Sequence, residues 1–235
     1  MMAAFNHRLA MLDWKRIATE LDQDGCAVLP GLFDRVQASA MAAMTGPGSA
    51  QNQIPGLRVS GEGEVLRLAP TLPEPLNALR TDLYAQLLPI ANRWNEILGI
   101  EGRFPSTFDE FLAQNGKAGQ AHPQSSLSKL CGQAYQALHQ YAEGRWIFPL
   151  QLVALLSEPE RDFTGGELVM IEQRPRMQSR PMVLPLGMGD AAIIAVAQRP
   201  FKGGKGFYRV NVKHAISRVR GGERIGLELV FHDAP

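Results

Sequence analysis

The sequence lacks the features of several protein classes, beginning with cysteine-rich and membrane proteins. Its 235 residues include two cysteines, Cys26 and Cys131, which lie far apart and outside any CxxC spacing. A disulfide framework or a cysteine-based zinc site is therefore not expected, and a reducing cytoplasm is the predicted location. No stretch approaches the roughly 18 apolar residues that a membrane-spanning helix needs, so no membrane partner is expected. Residues 1–10 contain polar side chains where the apolar centre of a signal peptide would lie.

The chain also lacks an excess of charge of either sign. Its formal net charge is +1, and it contains no long basic run. One third of the chain nevertheless concentrates six basic residues: Arg174, Arg176, Arg180, Arg199, Lys202 and Lys205. Such a cluster suits a phosphate-bearing partner such as nucleic acid. A solvated loop surface explains the cluster equally simply, and composition alone favours that interpretation.

What the sequence does contain is enough apolar residues for a substantial core. With 45% hydrophobic and 20% charged residues, it is interpreted as one globular domain spanning residues 1–235. Residues 46–63 are rich in Gly, Ser, Asn and Gln and form a predicted long loop. Apolar spacing and capping residues predict helices over residues 12–21, 35–44 after an Asp34 N-cap, 75–98, and a shorter segment from Ser106-Thr107 to Gly116 and Gly119.

From Leu127 onward the pattern changes from helices to short strands separated by glycine-containing turns. Helices followed by many strands predict an all-β core with helices, in the form of a double-stranded β-helix (jelly roll) braced by N-terminal helices. Residues 1–126 would supply mainly helical support and a loop, and residues 127–235 the jelly-roll core. The predicted strands are residues 128–135, 146–157, 166–172, 182–185, 191–197, 208–219 and 224–231.

Two histidines point to a metal centre. If residues 138–143 are extended, His139, Tyr141 and Glu143 share one face of a strand. Two histidines and a carboxylate with open positions are typical of a non-haem Fe(II) oxygenase. His139 and a distant His214 supply the histidines, but Tyr141 stands where the carboxylate is expected. Each histidine alone is weak evidence, because a histidine beside apolar residues is more often a hydrogen-bonded core or surface group.

Arg224, ten residues after His214, adds a second element of such a site. A planar guanidinium on a late strand of a jelly roll can hold a substrate carboxylate through two parallel hydrogen bonds. The alternative is an ordinary surface ion pair, for example with Glu223.

Seven longer motifs in the second half of the chain are specific enough to compare with known families. They are FPLQ at 148–151, LLSEP at 155–159, RDFTGGE at 161–167, EQRPRMQSR at 172–180, YRVN at 208–211, SRVR at 217–220 and FHDA at 231–234. With these motifs, the chain from about Trp14 to the C-terminus resembles a bacterial oxygenase family described as acting on damaged DNA. This family is a branch of the Fe(II)/2-oxoglutarate dioxygenases related to prolyl hydroxylases and the AlkB group. The resemblance implies that His139 and His214 bind iron and that Arg224 holds the distal carboxylate of 2-oxoglutarate.

The sequence departs from the family inside the implied site. The family has His-Gln-Asp where this chain has His139-Gln140-Tyr141, so the metal-binding carboxylate is missing. A phenol has a pKa near 10 and binds Fe(II) poorly, although as phenolate it binds Fe(III) well. Leu130 stands where the resemblance implies an aromatic side chain that helps to hold 2-oxoglutarate. Residues 56–68 also differ from the family's charged and aromatic loop, which predicts a different substrate.

Two carboxylates are candidates to compensate for the missing one. Glu143 shares the strand face of His139 if the strand continues, although Gly144 indicates a turn. Glu228 lies four residues after Arg224 and therefore on the same strand face. A salt bridge between Glu228 and Arg224, which would neutralise the co-substrate anchor, is an equally good explanation of that pair. Tyr141 itself is either a metal ligand or a plug that fills the volume of an aspartate and a water molecule.

The sequence therefore predicts a non-haem iron oxygenase or oxidase that acts on a small molecule. Its predicted metal ligands are His139, His214 and Tyr141, with Tyr141 and Glu228 as catalytic residues and Arg224 as the cofactor-binding residue. Iron is the predicted metal, and 2-oxoglutarate is a candidate co-substrate. The alternative is a catalytically inactive homologue that binds a ligand or nucleic acid in the jelly-roll cavity.

Overall fold

The N-terminal helices begin and end where the sequence supplies capping groups. The computed structural model describes residues 8–45, 59–60, 63–68, 72, 74, 76–175 and 178–235. Helix α1 (Trp14–Asp24) begins at Asp13, whose side chain accepts from the Arg16 amide, and ends at Gly25 in the left-handed conformation. Helix α2 (Arg35–Ala42) begins with the predicted Asp34, and a 3₁₀ turn follows at Ala43–Thr45. Most of the predicted loop at residues 46–63 lies outside the described residues.

The longest helix packs its apolar stripe against the sheet and a second helix. Helix α3 (Leu76–Leu98) buries Leu79, Leu83 and Leu87 completely, as the predicted helix over residues 75–98 requires. Helix α4 (Phe108–Lys117) begins with a capping box between Thr107 and Glu110. The Tyr84 ring lies in a cluster of aromatic rings from α4 and from residues next to the strands, namely Phe108, Phe111, Phe148 and Phe231. None of the helices in the described part of the chain is both long and apolar enough to cross a membrane.

The strands form two sheets in which every named strand pair is antiparallel. The strands are β1 (Cys26–Leu29), β2 (Val59–Ser60), β3 (Gly63–Arg67), β4 (Ser126–Cys131), β5 (Tyr135–His139), β6 (Leu150–Leu155), β7 (Phe163–Gly165), β8 (Leu168–Gln173), β9 (Arg180–Leu184), β10 (Ala191–Ala195), β11 (Gln198–Gly203), β12 (Gly206–Ile216) and β13 (Val219–Val230). The seven-stranded sheet has the order β1-β10-β6-β13-β4-β3, with β7 beside β13, and the six-stranded sheet has the order β2-β5-β12-β8-β9, with β11 beside β12. This arrangement confirms the predicted jelly roll.

Several strand boundaries differ from the predictions. The predicted strand over residues 128–135 is interrupted by a turn, where Gln133 has a φ of 69° and separates β4 from β5. The predicted strand over residues 146–157 is shorter, because Trp146 is held in a loop by backbone hydrogen bonds to the Gln120 side chain. Strands β2, β3, β7 and β11 were not predicted. Strands β1 and β3, both from the first 126 residues, occupy the two edges of the seven-stranded sheet.

Candidate metal centre

The two predicted histidines face each other on adjacent strands of the six-stranded sheet. His139, the last residue of β5, is the direct cross-strand partner of His214 on β12. Directly opposed residues of antiparallel strands project from the same face, so both imidazoles point the same way. Their ring centroids are 4.1 Å apart. The structure thus brings together the two histidines that the sequence singled out separately.

Glu228 approaches both histidines from the other sheet. Its Oε2 atom lies 3.6 Å from Nε2 of His139 and 3.5 Å from Nε2 of His214. All three donor atoms lie within 4.8 Å of one another, as one metal ion requires. Separations of this size are compatible with bonds of about 2.1 Å to a shared ion, the usual length for imidazole and carboxylate ligands. Glu228 is therefore the carboxylate that the structure adds to the histidine pair.

Hydrogen bonding prepares His139 to donate a lone pair to a metal. Nδ1 of His139 lies 2.9 Å from the carbonyl oxygen of Ala137. Because a carbonyl oxygen can only accept, Nδ1 carries the proton, and Nε2 of the neutral ring keeps its lone pair. Metal-binding histidines are commonly oriented by this kind of contact.

Unpaired polar atoms gather around the same three residues. Side-chain nitrogens of Gln136 and Gln151 lie 3.2 Å and 3.1 Å from Nε2 of His139 and His214, respectively. The Oε1 atoms of both glutamines and Nδ1 of His214 are buried without a hydrogen-bond partner in the described residues. Unpaired buried polar atoms are costly in a folded protein. Their clustering here fits a site that accepts an additional polar group, such as a metal ion with its water ligands.

The pKa shifts of Glu228 and His214 favour the forms that bind metals, whereas that of His139 favours its protonated form. Burial alone raises the pKa of Glu228, but His214 and His139 outweigh burial and hold that pKa well below its usual range. Burial lowers the pKa of His139, but the hydrogen bond and charge of Glu228 raise it above its usual value. Burial and the neighbouring His139 lower the pKa of His214. A carboxylate and a neutral imidazole are the forms in which these groups bind metals.

Tyr141 lies in the site, although not on a strand as predicted. Strand β5 ends at His139, and Tyr141 reaches the interior from the following loop with 5% of its surface exposed. Its hydroxyl group donates a 2.7 Å hydrogen bond to Oε2 of Glu228. Burial and Glu228 raise the pKa of the phenol well above its usual value, against smaller opposing effects of Ser126 and Arg67. Tyr141 is therefore a protonated hydrogen-bond donor to Glu228.

Glu143, the other candidate carboxylate, does not join this cluster. The chain turns after Tyr141, and Gly144 adopts a φ of 111°. Glu143 is exposed to solvent as a result. The sequence-based expectation that Glu143 shares a strand face with His139 is wrong because the strand ends at His139.

Arg224 is buried with a free guanidinium end. Its Nε atom donates a 2.7 Å hydrogen bond to the carbonyl oxygen of Gly166, and 2% of the residue is exposed. Neither terminal nitrogen has a hydrogen-bond partner within the part of the chain that the structure describes. A Cβ atom on Gly226 would lie 2.8 Å from Nη1, so that glycine provides room for the guanidinium. Burial lowers the pKa of Arg224 to about 10, which leaves the side chain charged at neutral pH.

The salt bridge considered between Arg224 and Glu228 is not formed at ion-pair distance. Among the described residues, the ion pairs of Glu228 are those with His139 and His214. Leu130 is the direct partner of Arg224 across β4 and β13, and its side chain is completely buried. Arg224 therefore projects from beside an apolar residue, and its two terminal guanidinium nitrogens are available to bind another group.

Sequence reasoning missed four residues around the centre: Gln136, Gln151, Ser126 and Arg67. Gln136 donates from Nε2 to Oε1 of Glu228 at 3.3 Å. Strand alternation would place Gln136 and His139 on opposite faces, but an irregularity in the pairing of β5 with β12 brings both to the site. Gln151 falls in the FPLQ motif, the one sequence signal that pointed to any of the four.

Three of the six basic residues in the cluster of residues 174–205 form ion pairs with acidic residues of this chain. Arg199 is completely buried and pairs with Glu172, and its guanidinium also donates to the carbonyl oxygens of Asp22 and Gln23 at the end of α1. Arg174 pairs with Glu172 at 2.7 Å, and Arg180 pairs with Asp24 at 3.1 Å. Arg176 lies outside the described residues. These ion pairs offset part of the positive charge of the cluster.

Comparisons with known proteins agree with this architecture. Residues 63–234 match the model of a family described as an oxygenase catalysing oxidative methylation of damaged DNA. The chain is 40% identical over 159 residues to the uncharacterized protein MT2286 of Mycobacterium tuberculosis strain CDC 1551 / Oshkosh, and the match covers 68% of each chain.

Similar folds occur in solved structures of a prolyl hydroxylase and of a 2OG-Fe(II) oxygenase family member. A Pseudomonas putida prolyl-4-hydroxylase is 14% identical with a TM-score of 0.58, covering 94% of this chain and 99% of the other. A Burkholderia pseudomallei oxidoreductase of the 2OG-Fe(II) oxygenase family is 16% identical with a TM-score of 0.54, covering 95% and 93%. At these identities the similarity establishes a shared fold.

Proposed function

Because the chain belongs to the oxygenase family described as catalysing oxidative methylation of damaged DNA, we propose that it is a non-haem iron oxygenase with a remodelled metal centre. The proposed ligands are His139, His214 and Glu228. The observation that carries the proposal is the position of Glu228 Oε2, 3.6 Å and 3.5 Å from the two histidine Nε2 atoms. Two imidazoles and one carboxylate are the donor set expected for non-haem Fe(II) oxygenases.

In the proposed centre, the carboxylate ligand comes from a different part of the fold than the family resemblance implies. The family resemblance implies a carboxylate at position 141, two residues after the first histidine. In this chain Glu228 on β13 would supply the oxygen ligand from the opposite sheet. Three protein ligands leave positions on iron for a co-substrate and for dioxygen, whose activation is the chemistry that bound iron supplies.

Tyr141 is proposed to position Glu228. Its hydrogen bond to Oε2 restricts the carboxylate to the orientation that faces both histidines. The raised pKa of the phenol favours this role over ligation as tyrosinate. In the alternative, Tyr141 itself binds iron in a His/Tyr/His centre. That centre would show a tyrosinate-to-Fe(III) charge-transfer band, which a positioning role would not give.

Arg224 is proposed to anchor 2-oxoglutarate as co-substrate. Arg224 and Glu228 project from the same face of β13, and Gly226, which has no side chain, lies between them. The free nitrogens of the guanidinium suit bidentate binding of a carboxylate. A dicarboxylate could then extend along this face from the anchor towards the metal ligands.

The proposed substrate is a small molecule. The family description names damaged DNA, and nucleic acid binding normally depends on unpaired cations facing the phosphates. Arg174, Arg180 and Arg199 are engaged in internal ion pairs, which weakens the case for such a surface. Cys26 and Cys131 are not joined in a disulfide, as the proposed cytoplasmic location leads us to expect.

A catalytically inactive homologue that binds a ligand or nucleic acid is the second candidate. It is favoured by the hydrogen bonds that Tyr141 and Gln136 donate to Glu228. These contacts satisfy the carboxylate without a metal ion. Iron binding therefore decides between the two candidates.

Anaerobic calorimetry with Fe(II), together with metal analysis, tests the proposal. The parent protein is expected to bind one iron ion per chain, and Glu228→Gln is expected to lose at least about 10-fold in affinity, because an amide is a poorer iron ligand. Glu223→Gln is the matched control, since Glu223 lies on the same strand and pairs with Lys129 at 2.8 Å. A parent protein that binds no iron would favour the inactive homologue.

A further inference from the structure

A second arginine, Arg67, lies in the same row of side chains as Glu228. Ser126 on β4 is the direct partner of Arg67 on β3 and also of Glu228 on β13. Directly paired residues share a face, so all three project towards the side of the sheet that carries the metal centre. Neighbouring strands are about 4.8 Å apart, which places the Arg67 backbone roughly 10 Å from that of Glu228. An extended arginine side chain spans much of this distance.

The guanidinium of Arg67 lacks a partner for one of its buried nitrogens. The residue is half-buried, and its Nε atom is buried with no hydrogen-bond acceptor in the described residues. The described residues also provide no ion pair for Arg67. Buried donors are normally satisfied, since leaving one unpaired costs free energy. An oxyanion is the ligand whose geometry matches the planar fork of an arginine.

Two hydroxyl groups lie in the surroundings of Arg67. Ser126 has 2% of its surface exposed and separates Arg67 from Glu228. Arg67 and Ser126 both interact with the phenol of Tyr141, so Arg67 lies close to that phenol. The guanidinium and the two hydroxyl groups thus gather beside the metal centre.

Arg67 and Arg224 approach Glu228 from different directions. Arg224 lies four residues away along β13, whereas Arg67 lies two strands away across the sheet. Four residues of extended strand correspond to about 13 Å, so two anions bound at these arginines would not compete for the same space. Anions bound at the two arginines would therefore lie at separate places along the sheet.

We propose that Arg67, assisted by Ser126, binds an oxyanion group of the small-molecule substrate, either a carboxylate or a phosphate. The inference rests on the proposed function in one respect, since the anchored group would hold the rest of the substrate beside His139, His214 and Glu228. The proposed substrate is then a small anionic molecule. Its charged group binds at Arg67 while the carbon that reacts lies beside the metal ligands.

Isothermal calorimetry with simple anions tests this assignment on the full chain, both without metal and loaded anaerobically with Fe(II). Inorganic phosphate and benzoate serve as the phosphate and carboxylate probes. Arg67→Gln is expected to weaken binding of the preferred probe at least about 10-fold, with a smaller loss in Arg67→Lys, which keeps the charge but not the fork. Arg209→Gln, at an exposed position on β12, is the charge-matched control and should bind as the parent does.

The outcomes separate this inference from the proposed iron centre. Loss of anion binding in Arg67→Gln, with iron content as in the parent, supports both. Arg67-dependent anion binding by a protein that takes up no iron keeps the anion site and removes the iron centre. Equal anion affinity of the parent and Arg67→Gln, or no measurable binding of either probe, overturns the anion site. A short single-stranded oligonucleotide that binds more tightly than both probes, in an Arg67-dependent manner, overturns the small-molecule assignment.

Discussion

The hydroxyl group of Tyr141 donates a hydrogen bond of 2.7 Å to Oε2 of Glu228, the oxygen that also faces both histidines. Tyr141 occupies the position where the family resemblance implies the metal-binding carboxylate. It therefore contacts the carboxylate that we propose as the replacement. Tyr141 follows the end of a strand in the six-stranded sheet, whereas Glu228 lies on the seven-stranded sheet, so the two residues meet only when both sheets pack.

The first prediction concerns the role of the Tyr141 hydroxyl group. If Tyr141 donates to Glu228 and does not bind the metal, aerobically prepared iron-loaded protein should show no tyrosinate-to-Fe(III) charge-transfer band. Tyr141→Phe should then change the visible spectrum little and lower the free energy of unfolding by about 1 kcal/mol, because one buried hydrogen bond is lost. Visible absorption and denaturant unfolding measure the two effects. A band present in the parent and missing in Tyr141→Phe would instead make Tyr141 a ligand.

The second prediction concerns co-substrate binding. Arg224→Gln should weaken binding of 2-oxoglutarate by about 2 kcal/mol, the scale expected for losing a buried hydrogen bond to a charged group. Calorimetry of the iron-loaded protein gives this difference directly. Arg220→Gln, at an exposed position on the same strand, provides a control for charge. Unchanged affinity in Arg224→Gln would remove the proposed anchor, and an absence of 2-oxoglutarate binding by the parent would leave that anchor without a ligand.

The third prediction concerns acid stability and His232. This side chain is completely buried, and burial lowers its pKa from 6.5 to about 4. The unfolded chain therefore binds a proton below pH 6.5 that the folded protein excludes until about pH 4, so stability falls as the pH is lowered through this window. The loss should approach roughly 3 kcal/mol at pH 4, at 1.36 kcal/mol per pKa unit.

Urea unfolding at pH 7, 5.5 and 4.5 would measure this effect, with His232→Asn as the comparison. The variant should lose less stability on acidification than the parent, because its side chain does not titrate in this range. Parallel acid profiles for the two proteins would contradict the role assigned to His232.

The sequence was informative about elements with local signals. Asp34 and Thr107 accept the amide hydrogen bonds that begin α2 and α4, and the leucine stripe of α3 is buried as its period requires. These features depend on residues three or four positions apart. The end of β5 at His139 was not predictable in this way, because the chain leaves the sheet where Gly144 and Gln120 hold the following loop.

The site was predictable only in part. Strand alternation correctly placed Arg224 and Glu228 on one face of β13, but it could not measure the distance from Glu228 to the histidines. That distance depends on how two sheets pack, and no local pattern encodes it. Arg67 was missed for the same reason, since its proximity to Glu228 follows from the pairing of β3, β4 and β13.

The most direct measurement of the central claim is the Fe(II) affinity of a four-protein set: the parent, Glu228→Gln, Tyr141→Asp and the double variant Tyr141→Asp/Glu228→Gln. If Glu228 supplies the oxygen ligand, Glu228→Gln should bind iron at least about 10-fold more weakly than the parent. The double variant should recover most of that loss, because it returns a carboxylate to the position that the family resemblance implies. Equal iron affinity of the parent and Glu228→Gln would contradict the claim that Glu228 has taken over the carboxylate's role.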